Sequence, residues 1–325
     1  MITVTILGFD YVLGGSLMGI SDLFRLAGVS WNRIHQQEPE HRFRVQVASW
    51  DKAPIRCLND VLISPHCALQ DIEHSDVFLI PAIAGNIEQT LDDNWRLVEC
   101  LKAAGDSRCL IGSNSTGAFF LGESGLLNGK NATTHWGMVD LFRQRYPEVN
   151  LKPDQLITHD GNILCDGGGL AWFDLGLYIV ELFCGHETAV GLSKAFVLDT
   201  LRPSQLTYSP LISKKYHGDT VVFAVQSWME DNLSKPVRID SLGEQFGISN
   251  RSLIRRFKAA TGITPLAYLQ EARLEAARKL LVQSHKTIDE ITRAVGYEDI
   301  SSFTRLFKRK NDMPPSDYRA RFRLY

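Results

Sequence analysis

Residues 246–268 read FGISNRSLIRRFKAATGITPLAY, and residues 296–318, GYEDISSFTRLFKRKNDMPPSDY, repeat the pattern 50 positions later. Six residues recur unchanged: Ser252, Arg255, Phe257, Lys258, Pro265 and Tyr268 reappear as Ser302, Arg305, Phe307, Lys308, Pro315 and Tyr318. Each copy joins an apolar-periodic helix, a glycine and a second helix with basic residues, which is the pattern of a helix-turn-helix. Two such units in one chain predict a region that binds duplex DNA.

The turn of each copy follows from its residue types. In the first copy Ile239–Phe246 has apolar residues at helical spacing, and Gly247 stands where a helix end needs a positive φ. Ser249 or Asn250 can then cap the following helix. In the second copy Gly296 takes the place of the turn glycine. The side chains expected to face the core are Leu253 and Phe257 in the first copy and Phe303 and Phe307 in the second.

Charge is divided unevenly along the chain. Residues 221–325 contain 18 Lys and Arg against 12 Asp and Glu, a net charge of +6. Residues 1–220 contain 17 against 25, a net charge of −8, so the near-neutral total of −2 hides the difference. This asymmetry predicts a nucleic-acid-binding module joined to an acidic domain of another function.

From about residue 221 to 325 the chain resembles the DNA-binding domain of AraC-type transcriptional regulators. The resemblance is carried by SLGEQFGISNRSLIRRFKAATGITPLAYL (241–269), QEARLEAARKLL (270–281) and TIDEITRAVGYEDISSFTRLFKRKNDMPPSDYR (287–319). It implies an all-α domain of seven helices whose two reading helices occupy successive major grooves on one face of the DNA. The middle of this region, Leu266–Gln283, has the apolar spacing of one continuous helix that would hold the two readers apart.

The positions that match the family's reading helices imply which side chains contact DNA. Base contacts would come from Arg251, Ile254 and Arg255 in the first copy and from Ser301, Ser302 and Arg305 in the second. Phosphate contacts would come from Lys258, Lys308 and Arg309. An arginine bound to guanine through two hydrogen bonds supplies about 1–3 kcal/mol of discrimination, whereas phosphate contacts position the protein without reading sequence. Because the two base-contacting sets differ, we expect an asymmetric DNA site of two dissimilar segments, about one helical turn apart.

The first 200 residues alternate strand-like and helical patterns. The segments are Ile2–Gly8, Leu17–Ala27, Phe43–Trp50, Val77–Pro81, Ile87–Ala103, Cys109–Gly112 and Thr116–Ser124. This alternation predicts an α/β domain with a parallel sheet and helices on both faces. Ligands of such folds bind at the carboxyl ends of the strands, which here are followed by the loops after Gly8, Pro81 and Gly112.

A strand-to-helix turn between glycines, Ile111–Ala118 (IGSNSTGA), can present one side chain at the start of a helix. With LLNGKNATTHW (126–136) and GGGLAWFDLGLYIVE (167–181), it resembles the class I glutamine amidotransferase-like fold. The resemblance is to the intracellular-protease-like version that precedes AraC-type domains, and it implies a flavodoxin-like architecture. Ser115 stands at the position of that family's cysteine nucleophile, and Ser16 aligns with the acidic partner, so both catalytic groups of the enzymes are replaced.

The same positions predict a small-molecule pocket in the first domain. The predicted lining is the 83–87 loop with Ser16, Ser115, Thr116 and His135. Family resemblance implies an amine or an amino-acid derivative as the effector and activation of transcription as the outcome. The interpretation is therefore a ligand-responsive, sequence-specific DNA-binding transcriptional regulator.

Two alternatives remain open. The first is an amidase- or hydratase-type enzyme tethered to DNA, with Ser115 as nucleophile and His135 as its base. The orienting group would be Asp22, Asp140 or Asp166. Because a serine hydroxyl is far less acidic than a cysteine thiol, the sequence predicts no catalysis. The second alternative is a DNA-binding dimer that responds to no ligand.

The predicted organisation is a ligand-sensing and dimerisation domain at 1–198, a linker at 199–220 and a DNA-binding domain at 221–325. We expect a cytoplasmic, nucleoid-associated homodimer whose partners are double-stranded promoter DNA, a small-molecule effector and RNA polymerase. No apolar run reaches the ~18 residues of a membrane span, and no His or Cys spacing is that of a metal site, so neither a membrane, a metal nor a cofactor is expected. The cysteines show no paired framework and are predicted to be reduced: Cys57, Cys67, Cys100, Cys109, Cys165 and Cys184.

Overall fold

A computed structural model of the chain describes residues 1–104, 109–198, 205 and 217–323. The chain divides into two compact units, Met1–Leu206 and Thr207–Tyr325. Of the predicted linker, only Gln205 and 217–220 are among the described residues. Each unit is described by itself below.

The first unit is built on a seven-stranded sheet in the order β10-β11-β7-β6-β1-β2-β5. All neighbouring pairs are parallel except β10 with β11. The strands are β1 (Ile2–Leu7), β2 (Phe43–Ser49), β5 (Cys67–Ala68), β6 (Val77–Ile80), β7 (Leu110–Ser113), β10 (Ile157–Asp160) and β11 (Ile163–Asp166). Two small sheets pair β3 (Ile55–Arg56) with β4 (Leu62–Ile63) and β8 (Asn131–Ala132) with β9 (Asn150–Leu151). The predicted α/β fold with a mostly parallel sheet is confirmed.

Helices cover this sheet in two groups, one formed by α1, α2, α7 and α8 and the other by α3, α4 and α5. Their bounds, with that of α6, are α1 (Gly14–Leu26), α2 (Ser30–Ile34), α3 (Ile87–Asp93), α4 (Trp95–Ala104), α5 (Ala118–Glu123), α6 (Val139–Arg145), α7 (Trp172–Cys184) and α8 (His186–Ala195). The prediction of one helix over Ile87–Ala103 is wrong, because the chain breaks at Asn94. The Asn94 side chain donates to the Thr90 carbonyl at 2.8 Å, a local bond that competes with the helical ladder.

The close approach of α1 to α7 depends on glycine. A Cβ atom added at Gly19 would lie 2.1 Å from the buried ring of Trp172, and one added at Gly176 would lie 2.8 Å from Leu23. The helices therefore touch where their side chains are smallest. At Gly15, on the same helix, an added Cβ atom meets nothing within 4 Å.

The second unit is helical throughout its described part. Its seven helices are α9 (Thr220–Asp231), α10 (Ile239–Gln245), α11 (Asn250–Thr261), α12 (Pro265–Gln283), α13 (Ile288–Ala294), α14 (Ile300–Asn311) and α15 (Pro315–Phe322). They enclose two separate cores, and α12 contributes to both: Tyr268 and Leu269 to one, and Leu274, Ala277 and Leu281 to the other. The long central helix predicted from the sequence therefore joins two packed halves.

The sequence repeat becomes a repeat of contacts. The ring centroids of Phe257 and Tyr268 lie 5.4 Å apart at an interplanar angle of 71°. Those of Phe307 and Tyr318, 50 positions later, lie 5.5 Å apart at 86°. Both phenylalanines are fully buried, as the apolar spacing predicted. The two halves therefore use the same edge-to-face aromatic contact to hold their reading helices.

We expect Gly19→Ala to lower the free energy of unfolding of the first unit by about 1–3 kcal/mol, because the new methyl group overpacks against Trp172. Gly15→Ala is the matched control and should raise stability by about 0.5–1 kcal/mol through helix propensity. Urea unfolding followed by tryptophan fluorescence measures both, since five of the six tryptophans lie within Met1–Leu206. Equal stability of the two variants would contradict the packing.

Candidate functional sites: two reading helices and a strained elbow

The first helix-turn-helix is formed by α10 and α11 around Gly247, whose φ is 70°. The sequence left the cap of α11 open between two residues, and the structure assigns each a separate contact. Ser249 caps the helix by accepting from the Ser252 backbone N–H at 3.3 Å. Asn250 instead accepts from the Gly243 N–H of α10 at 2.7 Å, which ties the two helices together.

The second helix-turn-helix, α13 and α14, turns at Gly296 with a φ of 82°. Its reading helix is capped by Asp299, which accepts from the backbone N–H groups of Ser301 at 3.2 Å and Ser302 at 2.7 Å. The Ser302 side chain and these two N–H groups lower the pKa of Asp299. Asp299 occupies the position equivalent to Ser249, 50 residues later, so the repeat itself carries the signal for this cap.

The predicted DNA-contacting side chains all lie on the exposed faces of the two reading helices. The exposed residues are Arg251, Ile254, Arg255 and Lys258 on α11 and Ser301, Ser302, Arg305, Lys308 and Arg309 on α14. Ile254 is 42% exposed, although it is a large apolar residue. On α14 the Arg305 guanidinium lies 3.4 Å from the Ser302 hydroxyl. The structure thus brings the predicted residues together on two surfaces of different chemistry.

A further basic residue of α11 has a structural contact that the sequence did not reveal. Arg256 donates to both carboxylate oxygens of Asp219, at 2.7 and 2.8 Å. Asp219 also caps α9 by accepting from the N–H groups of Val221 and Val222. The Arg256 guanidinium and these backbone donors lower the pKa of Asp219 from 3.8 to about 2. The pair anchors the first reading helix to the start of its domain.

In the first unit, β7 leads into a tight turn that we call the elbow, residues 113–117. Ser115 has a φ of 54°, a strained value for a non-glycine residue. A Cβ atom at Gly117 would lie 2.6 Å from the carbonyl oxygens of both Ile80 and Pro81, so the elbow rests directly on the end of β6. The side chain of Ser115 is presented where the resemblance placed a nucleophile, but the residue is only 3% exposed.

A buried carboxylate lies beneath the elbow. Asp166, at the end of β11, is fully buried and accepts from the Asn114 side-chain amide at 2.8 and 3.0 Å. It also accepts from the Ser115 backbone N–H at 3.0 Å. Asp166 therefore ties the elbow to the end of β11.

The other predicted pocket residues are held by contacts within the unit. The Ser16 hydroxyl donates to the Leu13 carbonyl at 2.9 Å, and the Thr116 hydroxyl donates to the Ile83 carbonyl at 2.7 Å. Ser16 and Thr116 are 1% and 8% exposed, so, like Ser115, neither presents an open surface. His135 is half-buried at the start of a short 3₁₀ turn, Trp136–Met138.

His135 is in the wrong hydrogen-bonding state for a general base. Its Nδ1 accepts from the Gly137 backbone N–H at 3.0 Å, so this nitrogen carries no proton. Burial lowers the pKa of His135, which keeps the ring neutral. The proton is then on Nε2, and the basic nitrogen is already occupied. Of the three candidate orienting groups, Asp22 and Asp140 are exposed and Asp166 lies under the elbow.

A cavity occurs at the same edge of the sheet as the elbow, at strands β1 and β2 on the far side of β6. A cavity of about 350 Å³ lies at the carboxyl ends of β1 and β2 and includes the loop after Gly8. Its lining contains three aromatic residues and three carboxylates: Phe9, Tyr11, Trp50, Asp10, Asp51 and Asp93. Negative charge in a cavity of this size suits a small ligand that carries a positive group.

Other kinds of site receive no support from the described residues. None of the six cysteines, all of which lie among the described residues, forms a disulfide, and burial raises the pKa of Cys109 and Cys165 to about 11, so these two thiols are unreactive. Within the described ranges, no three His, Cys, Asp or Glu side chains are grouped to hold a metal ion. Every helix in those ranges is too short or too polar to cross a membrane.

Comparison with known proteins agrees with both halves of this arrangement. Residues 242–321 match a family described as a helix-turn-helix domain, and residues 29–181 match the DJ-1/PfpI family. The HTH-type transcriptional regulator CdhR of Pseudomonas aeruginosa is 29% identical over 308 residues, which cover 94% of this chain and 89% of CdhR. The HTH-type transcriptional regulator ArgR of the same species is 29% identical over 220 residues, 67% of each chain.

The chain is an AraC-type transcriptional regulator with a DJ-1/PfpI domain. Its first unit has the fold of an AraC family transcriptional regulator from Pseudomonas putida, at a TM-score of 0.51 and 18% identity over 60% of this chain and all of that one. This likeness concerns the fold alone. The relatives are DNA-binding regulators, and no described feature of this regulator gives positive evidence of catalysis.

We expect Arg256→Gln to destabilise the second unit in a pH-dependent way. The folded pKa of Asp219 is lowered, so the ion pair stabilises the fold above pH 3.8 and is lost as the pH falls towards about 2. The difference in urea midpoint between the regulator and this variant, followed by circular dichroism, should be constant near neutral pH and shrink below pH 3.8. Arg255→Gln, an exposed arginine on the same helix, is the control and should show no such change. A difference that persisted at pH 2 would contradict the assignment.

Proposed function

We propose that this regulator reads an asymmetric DNA site through α11 and α14, and that its first unit senses a small molecule. The single observation that supports the reading assignment is that one local structure is built twice with different exposed faces. Both copies have a positive-φ turn glycine, a capped reading helix and a buried phenylalanine. The two copies share the residues that pack the core and differ in the residues that are exposed. This is expected of two helices that bind different DNA sequences.

The base contacts follow from the chemistry of the exposed faces. Arg251 and Arg255 on α11 and Arg305 on α14 can each donate two hydrogen bonds to a guanine. Ile254 can make only an apolar contact, with the methyl group of a thymine. Because its side chain is exposed, packing in the core does not account for an isoleucine at this position. The hydroxyl groups that can bind either donors or acceptors on bases are those of Ser301 and Ser302.

The phosphate contacts come from the basic residues further along the reading helices: Lys258, Lys308 and Arg309. A neighbouring lysine is excluded from this set, because Lys310 lies 3.6 Å from Glu271 of α12. These contacts would fix the position of each helix in its groove without specifying sequence.

The spacing of the two reading units is supported by α12. Its 19 residues span about 28 Å at 1.5 Å per residue, close to the ~34 Å of one turn of DNA. One chain would therefore contact two dissimilar half-sites on one face of the duplex. Any two-fold symmetry of the operator would arise from pairing of two chains through the first unit.

Arg305→Ala should weaken binding to a duplex enriched from a random library by about 1–3 kcal/mol and relax the preference at one base position. Lys308→Ala should weaken binding to all sequences and reduce the slope of log K against log salt by about 0.9. Fluorescence anisotropy at several salt concentrations measures both effects. The matched control is Lys310→Ala, whose ammonium contacts Glu271.

If Arg305→Ala and Lys308→Ala both kept the sequence preference and the salt slope of the regulator, the assignment of α14 as a reading helix would be wrong. Enrichment of two identical half-sites for one chain would contradict the asymmetric site.

We also propose that the first unit binds a cationic metabolite, such as an amine or an amino-acid derivative, and dimerises, while the regulator activates transcription in the cytoplasm through RNA polymerase. The elbow site of Ser16, Ser115, Thr116 and His135 is the binding position taken from resemblance. The acidic cavity beside β1 and β2 supports the positive charge of the ligand and offers space that the closed elbow does not. The His135 tautomer, whose Nδ1 accepts from the Gly137 N–H, favours this function over hydrolysis at Ser115.

A thermal-shift screen of amines and amino acids should raise the melting temperature of the regulator for at least one compound. Asp93→Asn should abolish the shift if the ligand lies in the acidic cavity, and Thr116→Val should abolish it if the ligand lies at the elbow. A shift that survives both substitutions would contradict both positions. No shift with any compound would favour the ligand-independent dimer, and amide hydrolysis lost in Ser115→Ala would favour the enzyme.

A further inference from the structure

One residue of the predicted linker is fixed within the first unit. Gln205 is 1% exposed, and its side-chain amide donates to the Thr134 carbonyl at 2.9 Å and to the Thr133 hydroxyl at 3.2 Å. Its Oε1 accepts from the Trp136 backbone N–H at 3.1 Å. A longer contact, at 3.5 Å, joins the amide to the Gln155 carbonyl. Both ends of the carboxamide are therefore paired, and apart from Gln155 the partners belong to the 133–136 segment that contains His135.

The carboxamide of Gln205 packs against Gly167. A Cβ atom added at Gly167 would lie 2.5 Å from Nε2, 2.6 Å from Cδ and 2.7 Å from Oε1 of Gln205. At the next residue, Gly168, an added Cβ atom would meet nothing within 4 Å. Neither glycine has a positive φ that would exclude alanine. Gly167 thus leaves the space in which the Gln205 side chain lies against the backbone.

The same segment also contacts the elbow. The Thr134 hydroxyl donates to the Ser115 carbonyl at 2.9 Å, while the Thr134 carbonyl accepts from Gln205. On its other side the Ser115 backbone is bound to Asp166. A continuous series of hydrogen bonds therefore runs from the carboxylate under the elbow, through Ser115 and Thr134, to the linker.

We propose that Gln205 is a latch that couples the elbow to the linker. In the docked arrangement the carboxamide is paired over Gly167, and in the released arrangement these hydrogen bonds are broken and the Gln205 side chain has left Gly167. Any change that displaces Thr134 weakens the docked arrangement, because one residue contacts both the elbow and the latch. A ligand at the elbow would act on the DNA-binding unit through its different affinity for these two arrangements. The ligand's part rests on the proposed sensing function, whereas the latch itself does not.

The latch is tested in the full chain by a double-mutant cycle. The variants are Gln205→Ala, Gly167→Ala, both together, and Gly168→Ala as the matched control. The readout is hydrogen exchange at the Trp136 amide, which donates to Gln205. Gln205→Ala and Gly167→Ala should each raise the exchange rate by about tenfold, the order expected when a buried paired group is released. Gly168→Ala should show the same rate as the unsubstituted regulator.

The double variant separates a latch from general damage. If Gly167→Ala acts only by expelling the Gln205 side chain, it should add nothing in the Gln205→Ala background. Full additivity, or rates unchanged by Gly167→Ala, would overturn the latch.

Coupling to the elbow is tested by Thr134→Val, which keeps the carbonyl that binds Gln205 and removes the hydroxyl that binds Ser115. It should also accelerate exchange at the Trp136 amide, and an unchanged rate would refute the coupling. Because this readout uses neither DNA nor a ligand, failure of the latch is distinguishable from failure of the proposed regulatory function.

Discussion

The placement of both reading helices depends on one contact that occurs twice, a buried phenylalanine packed edge-on against a tyrosine of the next helix. Phe257 meets Tyr268 of α12, and Phe307 meets Tyr318 of α15. Full burial of a phenylalanine contributes about 1.5–3 kcal/mol and determines which side of the helix faces inward. Burial of one side of the helix leaves the opposite side, with its arginines, lysines and serines, exposed to solvent. The DNA surface is thus a consequence of how the core is packed.

In the first unit the corresponding constraint is a set of buried hydrogen bonds. Asp166 accepts from the backbone of Ser115 and from Asn114, which holds the strained elbow in shape. Ser115 is buried in this turn. A scaffold that holds a strained turn rigidly can serve recognition as well as it serves catalysis, which is consistent with a sensory domain.

Sequence patterns predicted the elements whose determinants are local. The turn glycines, the apolar stripe of α11 and α14 and the strands β1, β2, β6 and β7 follow from spacing within a few residues. The pattern failed at Asn94, where one side chain's bond to Thr90 divides a helix that periodicity predicted as continuous. It also missed β8 and β9, because strands of two residues carry no periodic signal.

The sequence by itself determined that the chain contains two copies of a DNA-reading unit, an acidic α/β domain and a serine in place of a cysteine nucleophile. The first two conclusions need only residue types, charge and short spacings, and the third is implied by the resemblance to a known family. The tertiary structure alone decided the partners of Asp166, Arg256 and Gln205, since each contact joins residues far apart in the chain. A buried carboxylate, an anchoring arginine and a docked glutamine look like ordinary polar residues in a sequence. Their roles arise from burial, because a polar group removed from water must find its partner wherever the fold provides one.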